Sequence, residues 1–351
     1  MQQSRLERYW RHLLAGVGIG VLVVLALAIV ADGRRLAGSL TGFAWSLLPL
    51  AMGLTSVNYA VRFVKWQLYL DWVGVGKLPR SLSLGIFLAG FAMTITPGKV
   101  GELLKSYLLH RATGISLATT APIVLAERLT DALALAILAL ASAAAGIEAG
   151  WPGLALVLLA LLSGMALTQQ RRLLLVVLRR CAELPVIRRQ AGALYALYDS
   201  SYELFRPSRL VAVTGLSVVA WFAECLALWV ILMGLGLPAS GAMLTLAVFS
   251  LSTASLAGAL SMLPGGLGAA EASLTGFLLL FSRAPMTPAT AAAATLLIRF
   301  ATLWFGVALG LLALIWVERQ LARNGPHHRP SQTPTRLATP PAPEPPRDSR
   351  R

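Results

Sequence analysis

Nine ionisable residues stand inside stretches that are otherwise apolar. They are Lys99, Glu102, Lys105, Glu127, Arg128 and Asp131 in the first half of the chain, and Glu224, Glu271 and Arg299 in the second. A charge at the centre of a membrane helix costs about 2.5–3.5 kcal/mol on insertion scales, so each of these calls for a partner or a task. Glu127 and Asp131 are four apart and share a helix face, with Arg128 beside them. Glu102 and Lys105 are three apart and follow Pro97-Gly98-Lys99-Val100-Gly101, while Glu271 follows Pro264-Gly265-Gly266-Leu267-Gly268. Glycine lets a backbone turn sharply and approach a ligand closely. The amides that open a short helix after such a break favour an anion, such as a lipid phosphate. In this reading Arg128 and Arg299 clamp the anion bidentately, and Lys99 and Lys105 act as point charges. The carboxylates then hold the arginines in place or exchange protons. A plainer reading has the same groups pair only with each other, pinning hairpins to neighbouring spans. Glu224 fits that structural role best, satisfied by an adjacent span.

The elements that must position these residues are helices in a membrane. Apolar residues make up 57% of the 351 and charged residues only 13%, against roughly 25% charged in an ordinary soluble domain. Mean hydropathy is +0.71. Runs such as Leu13 to Ala31 carry no charge at all. About 18 or more apolar residues suffice to cross the hydrocarbon layer, and backbone groups in lipid must be paired within the helix. The fold class predicted is all-α and polytopic, with about six full transmembrane helices: 12–31, 41–61, 117–147, 153–167, 210–233 and 289–317. Two further apolar regions are interrupted by Pro and Gly, at 97–101 and 264–268, and read as re-entrant broken-helix hairpins. Residues 62–72 mix charges with aromatic rings, as a helix does on emerging into the interface. Within the basic stretch 169–209, Leu173 to Leu178 and Leu194 to Phe205 read as helices lying on the bilayer surface.

Basic residues set the orientation. Arg5, Arg8 and Arg11, the arginine-dense loop 169–209 and the Arg-bearing tail all favour the cytoplasmic side. A chain of six spans and two hairpins satisfies this: a cytoplasmic N-terminus 1–11, a membrane domain 12–317, and a cytoplasmic tail 318–351 whose Pro, Ser, Thr and Arg predict disorder. The two hairpins then enter from opposite faces. Half one, about 41–147, and half two, about 210–317, become an inverted repeat with broken helices meeting near the midplane. Each half carries Pro-Gly-x-x-Gly, then an acid (Glu102, Glu271), then an arginine in the following span (Arg128, Arg299).

Several other classes fall away. The net charge of +15 sits in loops and tails, where it meets anionic headgroups. No aromatic-basic platform for single-stranded nucleic acid accompanies it, so no nucleic-acid partner is expected. Cys181 and Cys225 suggest no disulfide framework. His327-His328 lacks further ligands, so neither a metal nor another cofactor is expected. The apolar run after the basic N-terminus is too long for a signal peptide and reads as a retained first helix. No phosphate loop, Gly-x-Ser-x-Gly or His-Glu-x-x-His occurs, and the chain is read as a non-enzyme.

Thr96-Pro-Gly-Lys-Val-Gly-Glu-Leu-Leu-Lys-Ser-Tyr-Leu-Leu109, with Ala126-Glu-Arg-Leu-Thr-Asp131 after it, resembles the first signature of the lysylphosphatidylglycerol synthase transmembrane-region family, also called flippase-like. Leu263-Pro-Gly-Gly-Leu-Gly-Ala-Ala-Glu271 and Leu297-Ile-Arg299 resemble its second. The resemblance implies two inverted halves in the inner (plasma) membrane that move a lipid or lipid-linked molecule between leaflets. In two-part members a soluble aminoacyl-transferase domain follows the membrane region, and the short tail here leads us to expect no synthase activity. The partners expected are a membrane phospholipid or lipid-linked substrate and anionic headgroups, with a homo-oligomer or a separate lipid-modifying enzyme also compatible. A non-transporting scaffold for such an enzyme, or an embedded transferase, are the rival readings.

Single cysteines introduced at positions 99 and 268 are expected to react with a membrane-impermeant maleimide from opposite compartments. Labelling of both from one side, on continuous crossings, would remove the inverted hairpins.

Overall fold

The computed structural model of the protein describes residues 18, 20–23, 25–26, 28–29, 31–75, 78–95, 103–147, 151–170 and 191–323. Among the described residues all regular structure is helical. The expectations for 1–11, for Pro97, Gly98, Lys99, Gly101 and Glu102, for Leu173 to Leu178 with Cys181, and for the tail beyond 323 lie outside them.

A short helix α1 (Gly33–Thr41) is capped by Asp32, whose carboxylate accepts the Arg34 amide. It precedes the long α2 (Leu48–Trp72). Two ten-residue helices, α3 (Arg80–Ala89) and α4 (Leu104–Thr113), flank the first Pro/Gly break, and α3 tightens into a 3-10 turn over Gly90–Met93. The 28-residue α5 (Leu117–Ala144) follows, then α6 (Trp151–Thr168) and α7 (Ala191–Leu204). The second half repeats the order with α8 (Pro207–Gly234), the pair α9 (Gly241–Leu260) and α10 (Ala269–Phe281) around the second break, and then α11 (Pro288–Arg299). A π-helical turn, Phe300–Trp304, joins α11 to α12 (Phe305–Arg323).

Five of these stretches are both long and apolar enough to cross a membrane: Trp45–Trp72, Pro207–Gly234, Gly241–Leu260, Pro264–Phe281 and Pro288–Arg323. At 28 residues α5 matches them in length, about 42 Å at 1.5 Å per residue, but carries Glu127, Arg128 and Asp131. Large apolar side chains face outward around the bundle, among them Leu280 at 75% exposure and Val211 at 74%. That surface suits lipid rather than water. The protein is a polytopic, all-α membrane protein.

The most extensive packing joins α2 to α8. Their register runs from Ala44, whose amide donates to the Gly234 carbonyl, through Asn58 beside Ala220 and Lys65 beside Ser217, to Trp72 under Arg209. Residue numbers rise on one helix as they fall on the other, so the two are antiparallel. The halves are also exchanged at their breaks. The first arm of pair one, α3, packs on α12 of half two, and the first arm of pair two, α9, packs on α5 of half one. Each pair's exit adds a matching tie. Arg111 donates to Glu318 at 2.6 Å near the end of α12, and Arg283 donates to the Gly146 carbonyl at 2.9 Å just past α5. This reciprocity is the arrangement an inverted repeat produces.

The structure departs from expectation in four places. First, α2 does not end at residue 61 but continues to Trp72, with Arg62, Lys65, Trp66 and Tyr69 buried. Carboxylate and hydroxyl partners on other helices make an interior position cheaper than an interfacial one. Second, the segment Leu194 to Phe205 does not stand apart from the bundle. Within α7, Tyr198 and Leu204 are buried and the helix packs on α5. Third, the last helix runs to Arg323, six residues beyond 317, stabilised by the Glu318–Arg111 pair. Fourth, α9 has 20 residues, about 30 Å and enough for a full crossing. By contrast, α3 and α4 have half that length.

Close approach of α12 to residues 90–93 depends on Gly310, and its approach to Tyr59 of α2 depends on Gly306, the two spaced as in small-residue helix contacts. A Cβ on Gly310 would lie 2.3 Å from the Ala92 amide nitrogen, and one on Gly306 would lie 2.6 Å from the Tyr59 hydroxyl. Gly310→Leu is therefore expected to separate α12 from residues 90–93. The thermal unfolding midpoint of purified protein in detergent should fall by several degrees, the scale of an overpacked contact.

Candidate functional site

Two helix faces supply most of the site. On α2, Asn58, Arg62, Lys65 and Tyr69 are spaced four, three and four apart, a polar stripe on an apolar helix. On α5, Asp131 faces that stripe. The Asp131 carboxylate accepts from Arg62 Nη2 at 2.7 Å on one oxygen, and from Lys65 Nζ and Ser217 Oγ on the other. Lys65 also donates to Ser217 Oγ at 2.7 Å, so one acid ties α2, α5 and α8 together. Arg62 lies 5.8 Å over the Trp221 ring of α8, a cation–π contact.

Glu127 faces elsewhere. It accepts from Lys105, whose aliphatic stem passes directly over Gly90 and whose ammonium sits 5.0 Å above the Trp66 ring. This buried pair fastens α4 to α5.

The second break is built from glycines. Gly265, Gly266 and Gly268 all have positive φ, at 59°, 68° and 87°, a region that side chains with a Cβ rarely adopt. The turn aims its Gly268 amide at Glu271 Oε2, at 2.7 Å, which closes the first turn of α10. The other Glu271 oxygen meets Arg299 Nε at 2.6 Å. Arg299 in turn donates from Nη2 to the Gly265 carbonyl at 2.8 Å. The π turn directly after Arg299 presents the Thr302 carbonyl, which accepts from the Tyr59 hydroxyl at 2.7 Å. Single π turns recur at functional sites because they redirect side chains without ending the helix.

Where these elements converge lies a cavity of about 220 Å³. Its polar lining comes from Tyr59 and Arg62 on α2, Arg128 and Asp131 on α5, Glu224 on α8, and Arg299. The backbone of Gly265 and Gly266 closes one side, and Trp221 and Phe91 contribute apolar walls. Three arginines thus face two carboxylates. A second, mostly apolar cavity of about 280 Å³ lies against the other side of Arg299, between Gly20 and Val23 of the N-terminal helical residues and Leu267, Phe300 and Trp304.

Of the residues singled out from the sequence, the structure brings Arg128, Asp131, Gly265, Gly266 and Arg299 to one cavity. Glu271 lies at the second cavity, beside the first through Arg299. Pro264 and Gly268 shape the turn without lining the polar space, and Lys105 and Glu127 form their own pair away from it. Glu224 does find its partner on a neighbouring helix: Asn58 Nδ2 donates to its Oε2 at 3.0 Å. Tyr59, Arg62 and Lys65 are additions. The signal for Arg62 and Lys65 was present in the four-three-four spacing, but the surrounding Trp and Tyr gave the segment an interfacial look; Tyr59 lies outside that stripe.

Residues 13–310 match the model of a protein family, the lysylphosphatidylglycerol synthase TM region. A UPF0104 membrane protein of Methanothermobacter thermautotrophicus is 33% identical over 116 residues, a match covering 33% of this chain and 32% of that relative. The chain thus spans about a third of the length of that curated relative.

Asp131→Asn is expected to leave Lys65 and Arg62 buried without their anion. Removing one partner of a buried ion pair costs about 3–5 kcal/mol, so solubilised protein should unfold at a clearly lower temperature, or insert without folding.

Proposed function

This chain belongs to the lysylphosphatidylglycerol synthase TM-region family, and we propose that it translocates an anionic lipid or lipid-linked molecule between the leaflets of the plasma membrane. One observation carries the reading. The cavity between the halves gathers three guanidinium groups, those of Arg62, Arg128 and Arg299, beside Asp131 and Glu224. Guanidinium groups in a low-dielectric interior attract an anion strongly. Arginine is the side chain best matched to phosphate oxygens, through its planar fork of donors.

Size and neighbourhood favour an amphiphile. At about 220 Å³ the polar cavity is smaller than the roughly 300–1,000 Å³ pockets that enclose a whole ligand. It suits a headgroup whose chains lie elsewhere. The apolar cavity beyond Arg299 offers a place for an alkyl chain next to that headgroup. The two breaks, with the masses packed reciprocally on α5 and α12, supply elements able to rock about a central site. The activity proposed is movement, not bond making, with both termini on the cytoplasmic side that the basic residues favour.

Reconstituted in phosphatidylcholine vesicles doped with a fluorescent phosphatidylglycerol, the protein is expected to expose inner-leaflet probe to dithionite. Arg128→Gln and Arg299→Gln should each slow that exchange by about tenfold or more, the loss of one charge-assisted contact, while inserting normally. Unchanged exchange in both variants would remove the arginine-lined cavity from the mechanism.

A further inference from the structure

Four carboxylates at lipid depth are described, and they are not equivalent. Glu127 pairs with Lys105, Asp131 with Arg62 and Lys65, and Glu271 with Arg299. Glu224 has no ion-pair partner within 4 Å among the described residues. Its hydrogen-bond donor is the neutral amide of Asn58, itself fixed by a second bond from Nδ2 to the Ala220 carbonyl at 2.8 Å. Protonating any of the other three would leave a buried cation unpaired. Protonating Glu224 breaks no ion pair, and its carbonyl oxygen can keep accepting from Asn58. Its carboxyl also lines the polar cavity, so water and protons reach it wherever a headgroup does.

The groups around it come from every side of the cavity. Tyr59 and Arg62 face it from α2, Arg128 and Asp131 from α5, and Arg299 from the end of α11, while the Gly265–Gly266 backbone and the lining of α9 bring no charge. A phosphodiester anion entering the cavity stands beside the Glu224 carboxylate, and repulsion between the two anions favours the protonated acid. With a proton on Glu224, the lipid meets the cavity's arginines without that opposing charge.

Resting on the reading of the cavity as an anionic headgroup site, we propose that Glu224 is its proton-coupling residue. The headgroup binds together with one proton, which passes from water in the cavity to a Glu224 carboxylate oxygen and is released when the lipid leaves. Lipid anion and proton then cross as an electroneutral pair. The structure-pinning carboxylates, Glu127, Asp131 and Glu271, keep their charge throughout. By linkage, a lipid that favours the protonated form must itself bind more tightly as pH falls.

The test uses the full chain in detergent, titrated with short-chain dioctanoyl phosphatidylglycerol in weakly buffered solution containing a pH indicator. Binding is followed in parallel by tryptophan fluorescence, with dioctanoyl phosphatidylcholine as the zwitterionic control. The wild type is expected to take up about one proton per phosphatidylglycerol bound, with affinity rising at most tenfold per unit fall in pH. Glu224→Gln, fixed in the uncharged form, is expected to bind with no uptake and a flat pH dependence. Glu224→Asp, which retains a titratable group, should restore uptake and so separates coupling from a folding defect. Lipid binding by wild type without proton uptake would overturn the coupling while leaving the headgroup site standing. Undiminished uptake in Glu224→Gln would assign the proton elsewhere. Absence of any phosphatidylglycerol binding by folded wild type would remove the headgroup site, and the coupling with it.

Discussion

The structure rests on one carboxylate shared by two cations. Asp131 receives Arg62 and Lys65 from α2 and the Ser217 hydroxyl from α8, so it joins the two halves at their centre. Neither cation could remain buried alone, since an unpaired charge in a low-dielectric interior is far more costly than a paired one. The antiparallel packing of α2 on α8 therefore has a polar key as well as an apolar surface. Phe43, Leu228, Ile231 and the neighbouring core supply the area, while Asp131 sets the rotation and register.

Around that key the halves are interlocked rather than laid side by side. The first arm of each broken pair packs on the long helix of the opposite half, and an arginine at each pair's exit ties down the far end of that same helix. The position of each pair is therefore fixed by the opposite half. Gly310 brings α12 against the Ala92 backbone and Gly306 brings it against the Tyr59 hydroxyl, small-residue contacts that let helices approach closely.

Arg299 holds a different balance. It spans a carboxylate, a backbone carbonyl of the glycine turn, and two cavities of opposite character. Its pairing with Glu271 is the pinning that the plainer reading of the sequence foresaw, and the same side chain also lines the cavity wall. A guanidinium has five donors in one plane, so it can satisfy a support and still face open space. The π turn that follows it gives the side chain this position without breaking the path from α11 to α12.

The sequence by itself determined the membrane class, the two breaks and the acid-and-arginine pattern in each half. Those features are local: apolar length, Pro and Gly at fixed offsets, and charges whose presence in lipid-depth runs is conspicuous. It also placed Arg128, Asp131, Gly265, Gly266 and Arg299 near one another through the repeat. What only the tertiary structure decided is which charges pair. Lys105 took Glu127 out of the cavity, and Asp131 drew Arg62 and Lys65 from an apparent interface into the core. Glu224 was left with an amide for a partner. A charge's partner in a helical bundle is set by the rotation and register of helices far apart in sequence. Periodicity along one helix gives the face a residue occupies, and packing alone gives what stands opposite it.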